Sequence, residues 1–388
     1  MNLKQRGFVH FRKLFDQRLL GLILFALISI MLPFSDTLAA CGAFQRTWSS
    51  TGNSNWNNAN WGGNQPNGTN EDAIIVNTGV GVNIDNKTVA CMDVQSGVLN
   101  GNANRVLSVT GDFFSAPNAN TLNFTNNRAE IAMVGTAPQT FECVDEIRIL
   151  TLNNPTSVTL KNTFRVRRDI NFLGTGTTYI EGDVRIERAT TIAAGHTVII
   201  KNGGRIWMRN NLTLNGVLQI DAGGELMMRG GRTLTVGTTG FLKVLGASGN
   251  SARLISEAGN QYFNFNLNGT MAANYFYISR PQTAGINMSN TGAITQLDNG
   301  EFHGIRNNGR AITLSANSTM PANPDKIGFF NDDGVGNPLN IRATVYTGAD
   351  ILFDNWSGDV GGEAFDDEGG NTRIDWGTPV SAFLSITD

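Results

Sequence analysis

Residues 204–245 read GRIWMRNNLTLNGVLQIDAGGELMMRGGRTLTVGTTGFLKVL, and apolar residues recur in this stretch in pairs separated by one residue. The pairs are Ile206/Met208, Leu212/Leu214, Leu218/Ile220, Leu226/Met228, Leu234/Val236 and Leu242/Val244. A period of two places both members of a pair on the same face of a β-strand. Double glycines at 223–224 and 230–231 mark turns between the pairs. The stretch therefore predicts a series of short strands with one buried face.

The pattern continues upstream and has a second, longer period. The upstream pairs are Phe164/Val166, Ile170/Phe172, Val184/Ile186 and Val198/Ile200. Grouped in threes, the sets begin at residues 164, 184, 206 and 226. A period near 20 residues with three short strands per repeat is typical of a solenoid whose coils stack on one another. We therefore predict an all-β chain that folds as a right-handed parallel β-helix. The alternative is an antiparallel sandwich, whose strands recur about every 8–12 residues.

Composition excludes several classes of protein. The chain of 388 residues contains 29 Lys and Arg against 32 Asp and Glu, so its net charge is −3. A nucleic-acid binder carries a basic patch, and we expect no nucleic-acid partner here. After residue 40, no stretch of twelve residues shows a convincing helical period. That pattern excludes the α/β enzyme folds, which need helices between strands.

The first forty residues have the order of segments found in a secretory signal peptide. Residues 1–18 carry five Lys and Arg, residues 19–34 are apolar, and residues 35–40 are polar and then small. As a helix, the apolar run would span about 24 Å, which is shorter than the ~30 Å hydrocarbon core of a bilayer. We therefore predict that residues 1–40 are a cleaved signal peptide and that the protein is secreted or lies at the cell surface.

The three cysteines leave two arrangements open. Leu38-Ala-Ala-Cys41 resembles the lipobox of bacterial lipoproteins, and we expect membrane association only if Cys41 is lipidated. In that case Cys91 and Cys143 are the remaining pair. Without lipidation we predict a disulfide between Cys41 and Cys91, since secreted chains permit such bonds.

Three segments follow the signal peptide. Residues 41–72 are rich in Trp, Asn and Gly, and we interpret them as an N-terminal cap, because a solenoid must cover the open ends of its core. Residues 73–324 form the predicted β-helix, and residues 325–388 form a C-terminal closing segment. With ~22 residues per coil, residues 72–350 would make about 12 coils.

Two parts of the sequence resemble known surface proteins. Trp56-x4-Trp61-x4-Pro66-x5-Asp72, followed by Gly79-Val-Gly-Val-Asn-Ile-Asp85, resembles the opening of G8-like secreted bacterial β-helix proteins. Residues 135–141 and 149–160 are similar to a repeat that is common in large bacterial surface proteins, in which a Gly…Gln-Thr turn precedes a Leu-Thr-Leu-Asn-Asn strand. The resemblance implies an exported surface protein of adhesin-like, pilus-accessory or envelope type, and it carries over no catalytic residue.

An outer surface with an aromatic side chain is the candidate binding site. Trp207 lies between two core positions, so it should point outward, and aromatic rings stack on the faces of sugars. Arg185, Arg205 and Arg209 lie on the same predicted surface. We expect these four residues to contact a glycan or a surface protein.

An acidic, glycine-rich stretch near the C-terminus is a candidate calcium site, since Ca²⁺ takes oxygen ligands from flexible loops. No other cofactor is expected, and the spacing of His196 and His303 fits no zinc site. A solvated acidic loop is the alternative interpretation. The candidate calcium ligands are Asp354, Asp359, Glu363, Asp366 and Asp367.

These patterns favour a structural, adhesin-like role at the cell surface. The alternative is a polysaccharide lyase or hydrolase on the same scaffold, which would need a groove with two or more converging carboxylates. A pilus-assembly accessory is a third hypothesis. We identify no catalytic residue in the sequence.

Overall fold

The computed structural model describes residues 45–48, 54–56, 61, 64–76, 81–96, 98–101, 104–116, 122–124, 128–259, 261–332, 334 and 336–380. The chain divides into two units, Met1–Leu38 and Ala39–Asp388, and every described residue belongs to the second. The predicted signal peptide and Cys41 lie outside the described residues. In the part of the chain that is described, no helix combines the length and the apolar character needed to cross a membrane.

The described residues form short strands from one end to the other. The first coils contain β1 (Gln45–Trp48), β2 (Ser54–Asn55), β3 (Asp72–Ile75), β4 (Gly81–Asn83), β5 (Lys87–Val89), β6 (Met92–Val94), β7 (Val98–Asn100), β8 (Val106–Val109), β9 (Phe113–Ser115), β10 (Leu122–Asn123), β11 (Glu130–Met133) and β12 (Gln139–Glu142). The middle coils contain β13 (Glu146–Leu152), β14 (Ser157–Lys161), β15 (Thr163–Phe172), β16 (Thr177–Ile180), β17 (Asp183–Ile186), β18 (Thr190–Ile192), β19 (Thr197–Ile200), β20 (Arg205–Met208), β21 (Leu212–Leu214), β22 (Val217–Asp221), β23 (Glu225–Met228), β24 (Thr233–Val236) and β25 (Phe241–Leu245).

The last coils contain β26 (Ala252–Ser256), β27 (Phe263–Leu267), β28 (Thr270–Asn274), β29 (Phe276–Ser279), β30 (Pro281–Met288), β31 (Ala293–His303), β32 (Arg310–Thr313), β33 (Asp325–Phe329), β34 (Leu339–Arg342), β35 (Ile351–Phe353) and β36 (Ile374–Trp376). One turn of 3-10 helix, Glu363–Phe365, lies between the last two strands.

The strands pair in parallel, and each regular coil contributes one strand to each of three faces. The first face contains β16, β19, β22 and β25; the second contains β17, β20, β23 and β26; the third contains β18, β21, β24 and β27. The long strands β13, β15 and β31 each supply two faces. The chain is a parallel β-helix of about 13 coils, which confirms the predicted fold class and excludes the sandwich.

Columns of apolar side chains fill the centre of the helix. All ten predicted pairs from Phe164/Val166 to Leu242/Val244 are buried, each residue with at most 3 % of its surface exposed. Val184 lies opposite Phe164 on one side and Ile206 on the other, and Ile206 lies opposite Leu226. Residues that the predicted period places one coil apart are therefore direct partners in the observed strand pairing. Each coil buries its apolar pairs only by stacking on its neighbours.

Buried tryptophans pack at the N-terminal end. Trp48, Trp56 and Trp61 have no exposed surface, and the ring of Trp61 lies 5.3 Å from that of Trp48 and 4.7 Å from that of Trp56. Because β1 pairs with β3, parallel pairing already begins inside the predicted cap. At the other end β33 and β34 pair with β31 and β32, so the helix also extends beyond residue 324.

A buried polar network explains the recurring Gln-Thr and Asn-Asn motifs. Gln139 has 2 % of its surface exposed; its amide oxygen accepts from the backbone N–H of Gly135, and its amide nitrogen donates to the carbonyl of Val109. Asn154 in the next coil donates to the Gln139 amide oxygen at 2.8 Å. Gln139 thus binds backbone groups of two coils at a corner of the helix, and Asn154 holds the Gln139 amide in place.

Candidate functional site

The second face has a break near its N-terminal end. A separate four-stranded parallel sheet of β2, β4, β7 and β10 precedes it and ends at β10. In the following coil, side chains bind the backbone of this last stretch: the carboxylate of Asp145 accepts from the N–H of Leu122 at 3.0 Å, and Nε of Arg148 donates to the carbonyl of Phe124 at 3.1 Å. We call this junction between β10 and β13 the seam.

Beyond the seam, outward side chains stack in a column, one per coil. Glu146 lies opposite Arg165, Arg165 opposite Arg185, and Arg185 opposite Trp207. In the adjacent column, Thr163 lies opposite Asp183. The parallel ladder fixes these positions, because strands of neighbouring coils lie ≈ 4.7–4.9 Å apart.

A groove of about 480 Å³ lies between the seam and Trp207. Its volume is within the ≈ 300–1,000 Å³ that ligand pockets have. Its lining combines apolar side chains, planar groups and charges, and it spans five coils of the helix. The lining residues are Leu122, Val144, Asp145, Glu146, Thr163, Phe164, Arg165, Asp183, Arg185 and Trp207. The structure thus brings two of the predicted binding residues, Trp207 and Arg185, into one concave site.

Trp207 points outward and is partly buried, as predicted from its position in β20. The guanidinium carbon of Arg185 lies 4.9 Å from the centre of the indole ring, and that of Arg209 lies 5.8 Å from it. Guanidinium groups at these distances are attracted to the ring face. The indole N–H is buried and has no hydrogen-bond partner among the described residues.

The arginines of the column are held by carboxylates. Arg165 donates to Glu187 at 2.8 Å and lies 3.3 Å from Glu146, while Arg185 donates to Glu187 at 2.8 Å. Burial alone would raise the pKa of Glu187, but the hydrogen bonds and charges of Arg165 and Arg185 outweigh it and hold that pKa below its ordinary value. These bonds orient the guanidinium groups before any partner arrives.

The remaining predicted arginines lie beside the groove and not in its lining. Arg205 lies 3.7 Å from Asp183 and donates to Glu225 at 2.5 Å. Arg253 lies two coils beyond Arg205 and 3.7 Å from Glu225. The column Asp183–Arg205–Glu225–Arg253 therefore alternates in charge. Arg209 is paired with Glu257.

Carboxylates in the groove are engaged by neighbouring donors. Asp145 accepts the backbone N–H at the seam, and Glu146 lies 2.5 Å from Nε of Arg167. Oδ2 of Asp183 lies 3.7 Å from Arg205, its partner in the ladder. Oδ1 of Asp183 is buried and has no hydrogen-bond partner among the described residues. A general acid or base must be free to exchange a proton with substrate. Asp183 therefore has a buried acceptor atom that no described residue uses.

At the C-terminal end, three carboxylates converge: those of Glu363, Asp366 and Glu368 place oxygens within 4.8 Å of one another. Burial and the neighbouring charges raise the pKa of Asp366 to about 6, against the effect of a hydrogen bond from Trp376 at 2.8 Å. Glu368 was not among the predicted calcium ligands; it accepts the backbone N–H of Ile374 at 3.0 Å.

The other predicted calcium ligands lie in separate contacts. Asp354 accepts the N–H of Asn355 at 2.9 Å, Asp359 accepts the N–H of Asn331 at 2.9 Å, and Asp367 lies 3.3 Å from Nε of Arg342. Among the described residues, the group that fits a metal consists of Glu363, Asp366 and Glu368. The predicted set of five therefore does not form one cluster.

A second charged cluster, which the sequence reasoning missed, surrounds His303. Its Nδ1 donates to Asp332 at 2.9 Å and its Nε2 to Glu301 at 3.0 Å, and its ring is stacked 4.6 Å from both Tyr277 and Phe330. Burial alone would lower the pKa of His303, but the two carboxylates outweigh it and raise that pKa to about 9. The imidazolium uses both N–H groups as donors, so it serves as a clamp between coils and not as a base.

In the described part of the chain, the second histidine and the two cysteines are structural. His196 is buried, lies 3.0 Å from the hydroxyl of Thr178 and donates through Nδ1 to the carbonyl of Leu173; burial lowers its pKa. Cys91 is disulfide-bonded, and Cys143 is a buried free thiol whose pKa burial raises to about 12. The free state of Cys143 excludes it as the partner of Cys91. The predicted partner, Cys41, lies outside the described residues, so that pairing stays a prediction.

Comparisons with protein-family models, with curated proteins and with solved structures found no match.

Proposed function

We propose that this protein is an exported, adhesin-like scaffold that presents the groove on its second face to a glycan partner. The single observation that carries the proposal is the groove itself, where Trp207 and Arg185 form one wall of a concave site of about 480 Å³. Ligand sites combine such a concavity with a few well-placed polar groups. The signal-like N-terminal segment supports a location outside the cell.

The scaffold suits such a role because the ladder holds the site in place. Each wall residue is anchored by parallel backbone pairing to the coils before and after it. Binding to a preformed site avoids the cost of ordering loops. A stack of about 13 coils also offers a long outer surface, which is useful for display at a cell surface.

A glycan array tests the proposal on the wild-type protein, on Trp207→Ala and on Met227→Ala. Met227 is the matched control, because it lies opposite Trp207 in the next coil and does not line the groove. We expect binding by the wild type and by Met227→Ala, and a loss of signal with Trp207→Ala. Absence of binding by the wild-type protein would overturn the proposed role.

An enzyme acting on polysaccharides is the second candidate, since the carboxylates of Asp145, Glu146 and Asp183 line the same groove. Most of their oxygens are engaged in ion pairs or in a backbone hydrogen bond, which favours binding over proton transfer. Release of new reducing ends from any bound glycan by the wild type, and its loss in Asp183→Asn, would support the enzyme and contradict the scaffold role.

A further inference from the structure

We infer that the groove binds an uncharged stretch of sugar residues and discriminates against acidic glycans. The inference rests on the proposed function and names its ligand class. Three observations carry it: the balance of charge in the groove, two buried polar atoms without partners, and the planar groups that form its wall.

The charges that line the groove do not suit an anion. Two guanidinium groups, those of Arg165 and Arg185, face three carboxylates. Two of these carboxylates are also paired with Arg167 and Arg205 beside the groove, so the site carries no excess of positive charge. Both guanidinium groups already donate to Glu187. A uronate or sulfate group would share these guanidinium groups with this carboxylate and would meet the others at close range. Like charges brought together in a partly buried site cost affinity.

Two polar atoms of groove residues have no hydrogen-bond partner among the described residues. One is a donor, the indole N–H of Trp207, and the other is an acceptor, Oδ1 of Asp183. A buried group left without a partner costs about 1–3 kcal/mol. A sugar hydroxyl both donates and accepts, so one kind of group on the ligand would satisfy both atoms once the two side chains turn them toward the groove. A phosphate, sulfate or carboxylate offers acceptors only and would leave the Asp183 oxygen unsatisfied.

Planar side chains supply the remaining contact. Arg165, Arg185 and Trp207 follow one another in the same column, one per coil. The wall is therefore a strip of flat groups at the spacing of the coils, against which apolar C–H faces of pyranose rings pack. Such rings bury apolar surface while their hydroxyls stay hydrogen-bonded at the rim.

Titration calorimetry with a neutral oligosaccharide series and a matched uronic-acid series tests this inference at low and at high salt. The variants are Trp207→Phe, which keeps a ring but removes the N–H, and Asp183→Ala, with Met227→Ala as the control. We expect neutral sugars to bind with an affinity that salt does not change. Trp207→Phe and Asp183→Ala should each lower this affinity about tenfold, while the affinity of Met227→Ala should stay within about twofold of the wild-type value.

A melting curve of each variant separates loss of the site from loss of the fold. Trp207→Phe should melt within a few degrees of the wild type, because it keeps a ring beside Arg185 and the removed N–H has no partner among the described residues. Binding of the acidic series alone, with a steep loss at high salt, would overturn the ligand class and leave the proposed glycan role standing. An equal loss in Met227→Ala would overturn the location. If neither series binds, both the inference and the proposed function are wrong.

Discussion

The guanidinium carbon of Arg185 lies 4.9 Å from the centre of the Trp207 ring, and the two residues are direct partners in the parallel ladder of the second face. The register of adjacent coils sets this contact, because residues 22 positions apart come to lie side by side. It gives Trp207 a fixed orientation at the end of the groove. The contact is therefore the most direct structural support for a preformed binding wall.

We predict that Arg185 and Trp207 stabilise each other measurably. A double-mutant cycle with Arg185→Ala and Trp207→Ala should give a coupling free energy of about 0.5–1 kcal/mol, the range of cation–π pairs at exposed sites. Urea unfolding of the four proteins measures it. Lys243 and Phe241 on the first face form a pair with the same separation, 4.9 Å between the ammonium nitrogen and the ring centre. The same double-mutant cycle on these two residues serves as a matched control. Strictly additive effects at Arg185 and Trp207 would contradict the stacking.

Neighbouring positions of one strand should differ sharply in their effect on stability. Leu226 is fully buried, whereas Met227 is only partly buried. Leu226→Ala should cost about 2–5 kcal/mol of unfolding free energy, because it leaves a cavity in a packed column. Met227→Ala should stay within about 0.5 kcal/mol, as is usual for surface positions. Equal losses in chemical denaturation would contradict the inward and outward assignment of β23.

The His303 cluster should make stability sensitive to alkaline pH. Because the folded pKa of about 9 lies above the ordinary value of 6.5, the stabilisation is complete below pH 6.5 and is lost as pH rises through 9. The melting temperature of the wild type should therefore fall between about pH 6.5 and 9 more steeply than that of His303→Gln. An NMR titration of the ring should give the raised pKa directly. Asp332→Asn should lower it, and an unchanged value would contradict the clamp.

Asp366 should change stability in the same direction, but closer to neutral pH. Its folded pKa of about 6 lies above the ordinary value of 3.8, so the folded state holds the proton more tightly than the unfolded state. Stability should rise as pH falls from 7 through 6, and this rise should be absent in Asp366→Asn. At pH 7 the variant should melt higher than the wild type, since it removes one of the converging charges. A lower melting temperature of Asp366→Asn at pH 7 would contradict this assignment.

The sequence-based prediction of calcium can now be tested on the cluster of Glu363, Asp366 and Glu368. If Ca²⁺ binds there at pH 7, the wild type should have a higher melting temperature in calcium than in chelator, because an ion that binds only the folded state stabilises it. Asp366→Asn should abolish that difference, whereas Asp354→Asn should keep it, because Asp354 lies outside the cluster. Identical midpoints of the wild type in calcium and in chelator would show that the prediction is wrong.

The sequence was sufficient for the coils, because alternation of period two decides which side chains point inward. Trp207 lies between the core residues Ile206 and Met208, and this alternation alone predicted that its side chain points outward. The groove could not be predicted in the same way. It depends on the seam, where Asp145 reaches Leu122 across 23 residues and the pairing of β10 gives way to side-chain contacts.

The clusters around His303 and Asp366 could likewise be predicted from the sequence only in part. Glu301 and His303 are two apart on one strand, so their shared face was readable from the sequence. The third member, Asp332, is 29 residues away in the next coil, and its position depends on the lengths of the loops between. Loops of irregular length also decide which acidic residues converge, which is why Glu368 joins the cluster of Asp366 and Asp354 does not.

The alternating column Asp183–Arg205–Glu225–Arg253 has a consequence for how quickly a partner finds the second face. Opposite charges one coil apart cancel over distances longer than their separation, so little potential extends into solution from this column. Encounter is then governed by plain diffusion without electrostatic steering, and association rates should be nearly independent of ionic strength. A surface of this kind recognises its ligand only on contact, by shape and hydrogen bonding.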